Sequence, residues 1–419
     1  MVPGPTYHEM LYRLPVHCPD ELDPANLYRI SWRRPDGHIR CELLPQELTG
    51  VDCNILVLTG RDFPSGSHKV GPAYSTLLEG ELAGEIQPGV HTIVGPSTGN
   101  FGIGTAYVGA LKGYPSVVIM PDRMSAERYQ RIRRYGGRLD LTPGTESDVI
   151  LVLERTEQYK KDPSHKVLAQ FELLPNYRFH RYVTGRSALE AARLHGNRRI
   201  AAFISAPGSA GTLAAGDEIK AQFPDAIVCA LEPKECSTLF NNGRGQHRIE
   251  GIGDKMVTLI HNILTTDYIC TIHDEDCIHG LHLLGAWPRL QEVLGISGVC
   301  NILGAIRMAR RLGLGPGDNV VTIATDGFDR YPSVVAQLTD PLPADSFERI
   351  FRAVHPGDIL DVRPRDQKNR LFAMKEATWE PFGYSHAYLE RMKSQTFWDS
   401  EYGKIPAIDA ALIQARSHS

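Results

Sequence analysis

Short runs rich in β-branched residues alternate with helical stretches, and this alternation constrains the fold more than any other feature of the chain. "HTIVGP" precedes "FGIGTAYVGALKG", "PSVVIMP" precedes "SAERYQRIRRYG", and "RRIAAFISAP" precedes "GTLAAGDEIKAQF"; "DAIVCALEP" and "DNVVTIATDG" follow later. Parallel strands must be joined by crossovers, so strand, turn, helix and strand again predicts a mostly parallel sheet with helices on both faces. The expected class is α/β. With 419 residues, 42% of them hydrophobic, the chain can bury two such units. A helix-rich stretch from about residue 150 to 195 reads as the passage between two α/β halves.

The formal net charge of -4 and the lack of a basic block interleaved with aromatics argue against nucleic acid and anionic membranes as partners. The N-terminal residues show no basic head before a long apolar run, and no window approaches bilayer length, so the expected location is the cytoplasm. Eight cysteines without a C-x-x-C pair read as buried thiols of a reducing compartment. "CTIHDEDCIHGLH" gathers Cys270, His273, Cys277, His279 and His282, but at spacings that fit no zinc pattern. A strand end followed by a helix start, with Asp274 near the N-cap, is the plainer reading, and no metal is expected.

Ligands of α/β sheets sit outside the carboxyl ends of the strands, so the turns after strands matter most. "SGSHKVGPA" follows the apolar "NILVLTG" and sets Lys69 in a tight Ser/Gly turn. In "VGPSTGNFGIG" a strand gives way to Ser97, Thr98, Gly99 and Asn100, whose hydroxyls, amide and free N–H groups suit a carboxylate or phenolate oxygen. In "SAPGSAGTLAAG" the residues Gly208, Ser209, Ala210, Gly211 and Thr212 precede a helix and offer a phosphate cradle, though neither a P-loop nor a dinucleotide fingerprint is present. In "VVTIATDGFDRYPS" a strand ends on Thr325 and Asp326, either of which can meet a ring nitrogen. Taken singly these read as a solvated lysine, capped helix starts and a turn. Together they are what pyridoxal phosphate needs: an amine, phosphate donors and a partner for the pyridine nitrogen.

In their order these segments resemble the fold-type II pyridoxal-phosphate enzymes, and within them the cysteine synthase and cystathionine β-synthase family. "FPSGSHKVGPA" is similar to that family's Schiff-base segment, with Lys69 at the lysine. "GPSTGNFGIG" is similar to its Thr-Ser-Gly-Asn-Thr-Gly loop, which implies Asn100 at the cofactor's 3-oxygen and Ser97, Thr98 and Gly99 at the substrate carboxylate. "QFELLPNYRFHRYVTG" resembles its Gln-Phe passage and implies Gln170 near the substrate; "PGSAGT" stands at its phosphate loop, and "HRIEGIG", with Gly251, at the loop that covers the substrate. "ALEP", "GISG" and "ATDGFDRY" complete the series, so the likeness runs from about residue 50 to 335. His68 before the lysine and Phe101 in the carboxylate loop depart from the usual pattern, and Ser209 and Ala210 soften the phosphate loop.

The resemblance implies two α/β domains with the cofactor in the cleft between them. Residues 1–85 would join the large domain and carry Lys69, 86–190 would form a small mobile domain, 191–335 the large domain, and 336–419 a cover or subunit contact. It also implies β-replacement on a serine- or cysteine-type amino acid through an aminoacrylate, with Lys69 as internal aldimine and then α-proton acceptor, and "EGIGDKM" as the water-excluding cover. The partners are then a small amino acid and a small nucleophile, and the assembly a homodimer. The alternatives are a β-eliminating lyase that releases pyruvate and ammonia, and a non-catalytic pyridoxal-phosphate protein. At the ring nitrogen Thr325 and Asp326 both remain open.

Overall fold

The computed structural model describes residues 2–16, 18–338, 341–353 and 355–418. Its eleven strands are β1 (Cys41–Leu43), β2 (Asn54–Thr59), β3 (Thr92–Pro96), β4 (Ser116–Pro121), β5 (Arg138–Thr142), β6 (His165–Val167), β7 (Ile200–Ser205), β8 (Ile227–Pro233), β9 (Tyr268–Ile272), β10 (Asn319–Ala324) and β11 (Ile359–Asp361). They form a seven-stranded sheet in the order β1-β2-β10-β7-β8-β9-β11 and a four-stranded sheet in the order β5-β4-β3-β6. The smaller sheet is wholly parallel. The larger is parallel except at its edges, where β1 runs against β2 and β11 against β9.

The apolar runs account for this. Ile55, Leu56, Val57 and Leu58 of β2 are all buried, as are Val320, Val321 and Ile323 of β10, because helices cover both faces of a parallel sheet. Helix Asn100–Lys112 links β3 to β4 and stops at Gly113, whose φ of 76° is a left-handed cap that a side chain disfavours. Each β-branched run singled out in the sequence is a strand. Within 150–195 helices Val149–Lys160 and Gly185–Ala192 are present, but β6 lies between them and pairs with β3. Three residues of intermediate burial carry too little pattern to announce a strand. The Cys/His segment is the end of β9 followed by helix Asp274–Leu283, N-capped by His273. No helix among the described residues is long and apolar enough to cross a membrane.

The last eighty residues are bound into the body. After β11, helix Arg365–Trp379 buries Trp379, which joins Trp398, Tyr177, Phe171 and Met256 in one apolar cluster. The final helix, Ile405–Ser417, returns to the start of the chain: Asp409 accepts from the N–H groups of Tyr7 (2.7 Å) and His8 (3.0 Å), and Arg416 pairs with Glu9 at 2.6 Å. Arg178 ties both ends to the centre, donating to Glu401 at 2.7 Å and pairing with Glu79 of helix Val70–Leu82.

Candidate active site

Four strand ends converge on one cavity. β2 leads into the turn that carries Lys69, immediately before helix Val70–Leu82; β3 leads into Ser97, Thr98 and Asn100; β7 into Gly208 and Ser209; β10 into Thr325. All of these line the cavity, and so do Gln170, Gly251 and Phe101. Gly99, Ala210, Gly211, Thr212 and Asp326 belong to the same turns but do not form its wall. The placement follows from topology: parallel strands bring their carboxyl ends to one rim, whatever the separation in sequence.

The Lys69 amine lies 3.2 Å from Ser209 Oγ, which also accepts from Asn176 Nδ2 at 3.0 Å. Burial of the amine lowers its pKa to about 8, against the opposing pull of the Asp254 and Glu146 carboxyls. His68 is a packing residue. It is buried 5.5 Å from Trp32 and 5.0 Å from His180 between ring centroids, neither ring nitrogen has a hydrogen-bond partner, and burial with the neighbouring Lys69 holds its pKa far below the ordinary value.

Thr325 and Asp326 face different surroundings. Thr325 is on the cavity wall, whereas Asp326 is fully buried beside it. Asp326 Oδ2 accepts from Asn100 Nδ2 at 2.6 Å and from the Tyr331 hydroxyl at 2.9 Å, with Arg330 3.7 Å and Arg128 3.8 Å away. Its Oδ1 lies against Gly295, where an added Cβ would come within 2.0 Å. Arg330 completes the knot by donating Nε to Asn100 Oδ1 at 2.8 Å and Nη2 to Ser65 O at 2.7 Å. Asn100 is thereby fixed in orientation while one Nδ2 hydrogen stays available.

Three further groups bear on the site without a motif that points to them. Asp254 lines the cavity; its Oδ2 has no partner, and burial raises its pKa to about 8, with Lys69 opposing. Glu146 accepts a hydrogen bond from the Thr98 hydroxyl and is pushed well above the carboxylate range by burial. Arg128, fully buried, spans Glu250 (2.5 Å), Glu146 (3.6 Å) and the Tyr331 hydroxyl (3.0 Å). The one feature that could have drawn attention to Asp254 is its place in "EGIGDKM", directly after Gly253; Glu146 and Arg128 stand in ordinary polar contexts.

The donor set fits pyridoxal phosphate. The N–H groups of Gly208, Ser209, Ala210 and Thr212 find no acceptor among the described residues, the Asn176 Oδ1 beside them has no partner, and a Cβ on Gly211 would come within 2.2 Å of that oxygen. Gly208 passes close under the covering loop, where a Cβ would sit 2.4 Å from Gly251 O. With the amine resting on Ser209, free room between the walls is only about 20 Å³. The fit therefore lies in the donors, and Lys69 must swing aside from Ser209 to receive a carbonyl.

Comparison with known proteins agrees with this geometry. The family model for pyridoxal-phosphate dependent enzymes matches residues 41–326. A cysteine synthase of Staphylococcus aureus is 32% identical over 271 residues, which is 64% of this chain and 84% of that protein. A hydrogen sulfide-producing enzyme of Fusobacterium nucleatum, solved as a variant with an α-aminoacrylate intermediate, is similar with a TM-score of 0.64 at 28% identity, covering 74% of this chain and 89% of that one. O-ureido-L-serine synthase gives a TM-score of 0.64 at 27% identity, covering 74% and 95%.

Proposed function

Because the chain belongs to the pyridoxal-phosphate dependent enzyme family, we propose that it carries out a cysteine synthase-like β-replacement on a serine- or cysteine-type amino acid. The observation that carries this reading is the Lys69 amine, lowered to about 8 and standing between the oxygen-binding turn at 97–100 and the loop at 208–212. Held by Lys69, pyridoxal phosphate supplies an electron sink that labilises the Cα proton and the β substituent.

The protein's own residues do the rest. The free N–H groups of Gly208, Ser209, Ala210 and Thr212, with the Ser209 and Thr212 hydroxyls, would hold the phosphate just ahead of helix Ala214–Gln222. Asn100, locked by Arg330 and Asp326, directs its remaining hydrogen toward the 3-oxygen. Thr325, which faces the cavity where Asp326 does not, would be the residue to meet the ring nitrogen, offering it a neutral hydroxyl rather than a carboxylate. Ser97 and Thr98, with Gly99 in the same turn, bind the substrate carboxylate, Gln170 lies near the substrate, Phe101 narrows the side-chain pocket, and Gly251 closes over it. The neutral form of Lys69, which burial makes accessible near pH 8, takes the Cα proton, and Asp254, protonated near neutrality, can hand a proton to the leaving group. Residues 86–190 move as the small domain, and two copies pair as a homodimer.

Incubating the holoenzyme with O-acetylserine, serine or cysteine, with and without a thiol, and identifying products by mass spectrometry tests the reading. A thioether or thiol amino acid should form only when nucleophile is present. Equal pyruvate release with and without nucleophile would overturn replacement. Elimination is the second reading, favoured by one observation: Asp254 Oδ2, without a partner beside Lys69, is also placed to orient water.

A further inference from the structure

A second cavity, of about 590 Å³, lies on the other side of the covering loop. Its walls come from helix Val149–Lys160, the segment after β8, loop residues 255–257 and helix Arg365–Trp379. That last helix lies beyond the family-matched residues 41–326, so this cavity is built in part by a segment the family model does not include.

Three cations reach the cavity from three separate elements: Arg244, Lys255 and Arg370. Arg244 is exposed and has no hydrogen-bond or ion-pair partner among the described residues. Arg370 donates Nη2 to Leu239 O at 2.7 Å and Nε to Gln367 at 3.1 Å, while its Nη1 meets only the Met374 sulfur at 3.6 Å; among the described residues no carboxylate lies within ion-pair distance of it, Glu232 and Asp366 acting only from further off. Lys255 pairs with Asp148 at 2.9 Å. Its backbone is left-handed, with φ 56°, which only a held loop imposes on a side-chain-bearing residue. That turn sets Asp254 on the inner cavity and Lys255 on the outer one. The remaining wall is mostly apolar, with Met256, Met374 and Phe382 prominent and Glu154, Thr238, Asn242 and Thr378 as its polar members.

We propose that this outer cavity is a binding site for an organic monoanion with an apolar body, of the medium-chain carboxylate kind. Arg244 has no partner among the described residues and Arg370 Nη1 reaches no oxygen, so two guanidiniums at the rim keep donors that a ligand carboxylate can take up. A neutral apolar ligand would cover the two guanidiniums without replacing their water, and a cation would be repelled. The site is separate from the reaction and does not depend on which amino acid is turned over.

Titration calorimetry of the holoenzyme with octanoate, octanol and octylammonium separates the possibilities, because chain length is constant and only the head group changes. Octanoate should bind roughly tenfold more tightly than octanol, as expected for one charge-assisted contact, and should weaken with added salt. Arg370→Gln should remove most of that advantage and leave octanol unaffected; Arg244→Gln, at an exposed side chain without partners, provides the same reading with the melting temperature unchanged. Equal binding of all three ligands, tightest binding of octylammonium, or octanoate affinity unchanged in both variants, which would place the anion in the inner cavity, each overturns the proposal.

Discussion

At pH 8 about half of the Lys69 side chains should carry a neutral amine. A solvated lysine at its ordinary 10.5 would be neutral to only about 0.3% at that pH, so burial raises the reactive fraction about 150-fold. The sign follows from the cause: burial penalises the ammonium, so the neutral form persists to lower pH than in the unfolded chain. Reductive methylation of the apoenzyme with formaldehyde and cyanoborohydride over pH 6 to 11, quantified on the Lys69 peptide, reads this directly, because only the neutral amine reacts. Modification should rise through a midpoint near 8. The Asp254→Asn variant should move the midpoint lower still, since the Asp254 carboxylate is the leading group that favours the ammonium. A midpoint near 10, or an upward move in Asp254→Asn, would refute the link between burial and an activated lysine.

Lys69→Ala should abolish the visible absorbance that the bound cofactor shows in the wild type, with the melting temperature of the apoprotein little changed. Asp326→Asn and Thr325→Ala should separate two roles: the first loosens a buried charged knot and lowers the unfolding free energy by about 3–5 kcal/mol in a denaturant titration, the second shifts the cofactor spectrum with little loss of stability. Gly208→Ala drives a methyl against Gly251 O and should weaken cofactor affinity at least tenfold by equilibrium dialysis. Trp379→Ala leaves a void in the cluster with Trp398 and should cost about 3–5 kcal/mol of stability, measured by urea unfolding.

The parts of the candidate site that could be read in the sequence share one property: each lies in the loop that follows a run of β-branched residues. Lys69, Ser97, Gly208 and Thr325 were recognisable because a parallel sheet brings the ends of its strands together, so local pattern stood in for tertiary position. Arg128, Glu146 and Asp254 were not, because their burial is decided by packing with partners distant in sequence; Arg128 meets Glu250 and Tyr331 from a helix that reads as an exposed charged surface. The different surroundings of Thr325 and Asp326 likewise depend on Gly295, whose missing side chain makes room for the Asp326 carboxylate behind the cavity. β6 and β11 escaped notice for a different reason, since edge strands of three residues bury too little to show an alternation.

The clasp between Asp409 and the N–H groups of Tyr7 and His8 spans 402 residues. Closing a loop of that length in a disordered chain costs about 5 kcal/mol, more than two surface-side hydrogen bonds return. The clasp is therefore a late event in folding, possible only once the sheets between its halves have brought the two segments together. Through Arg178 and Glu79 it then bears on the helix that begins one residue after Lys69. A protease that nicks the final helix would thus act far from the chemistry in sequence and only a few contacts from it in space, which makes resistance to cleavage there a gauge of whether the whole chain has finished folding.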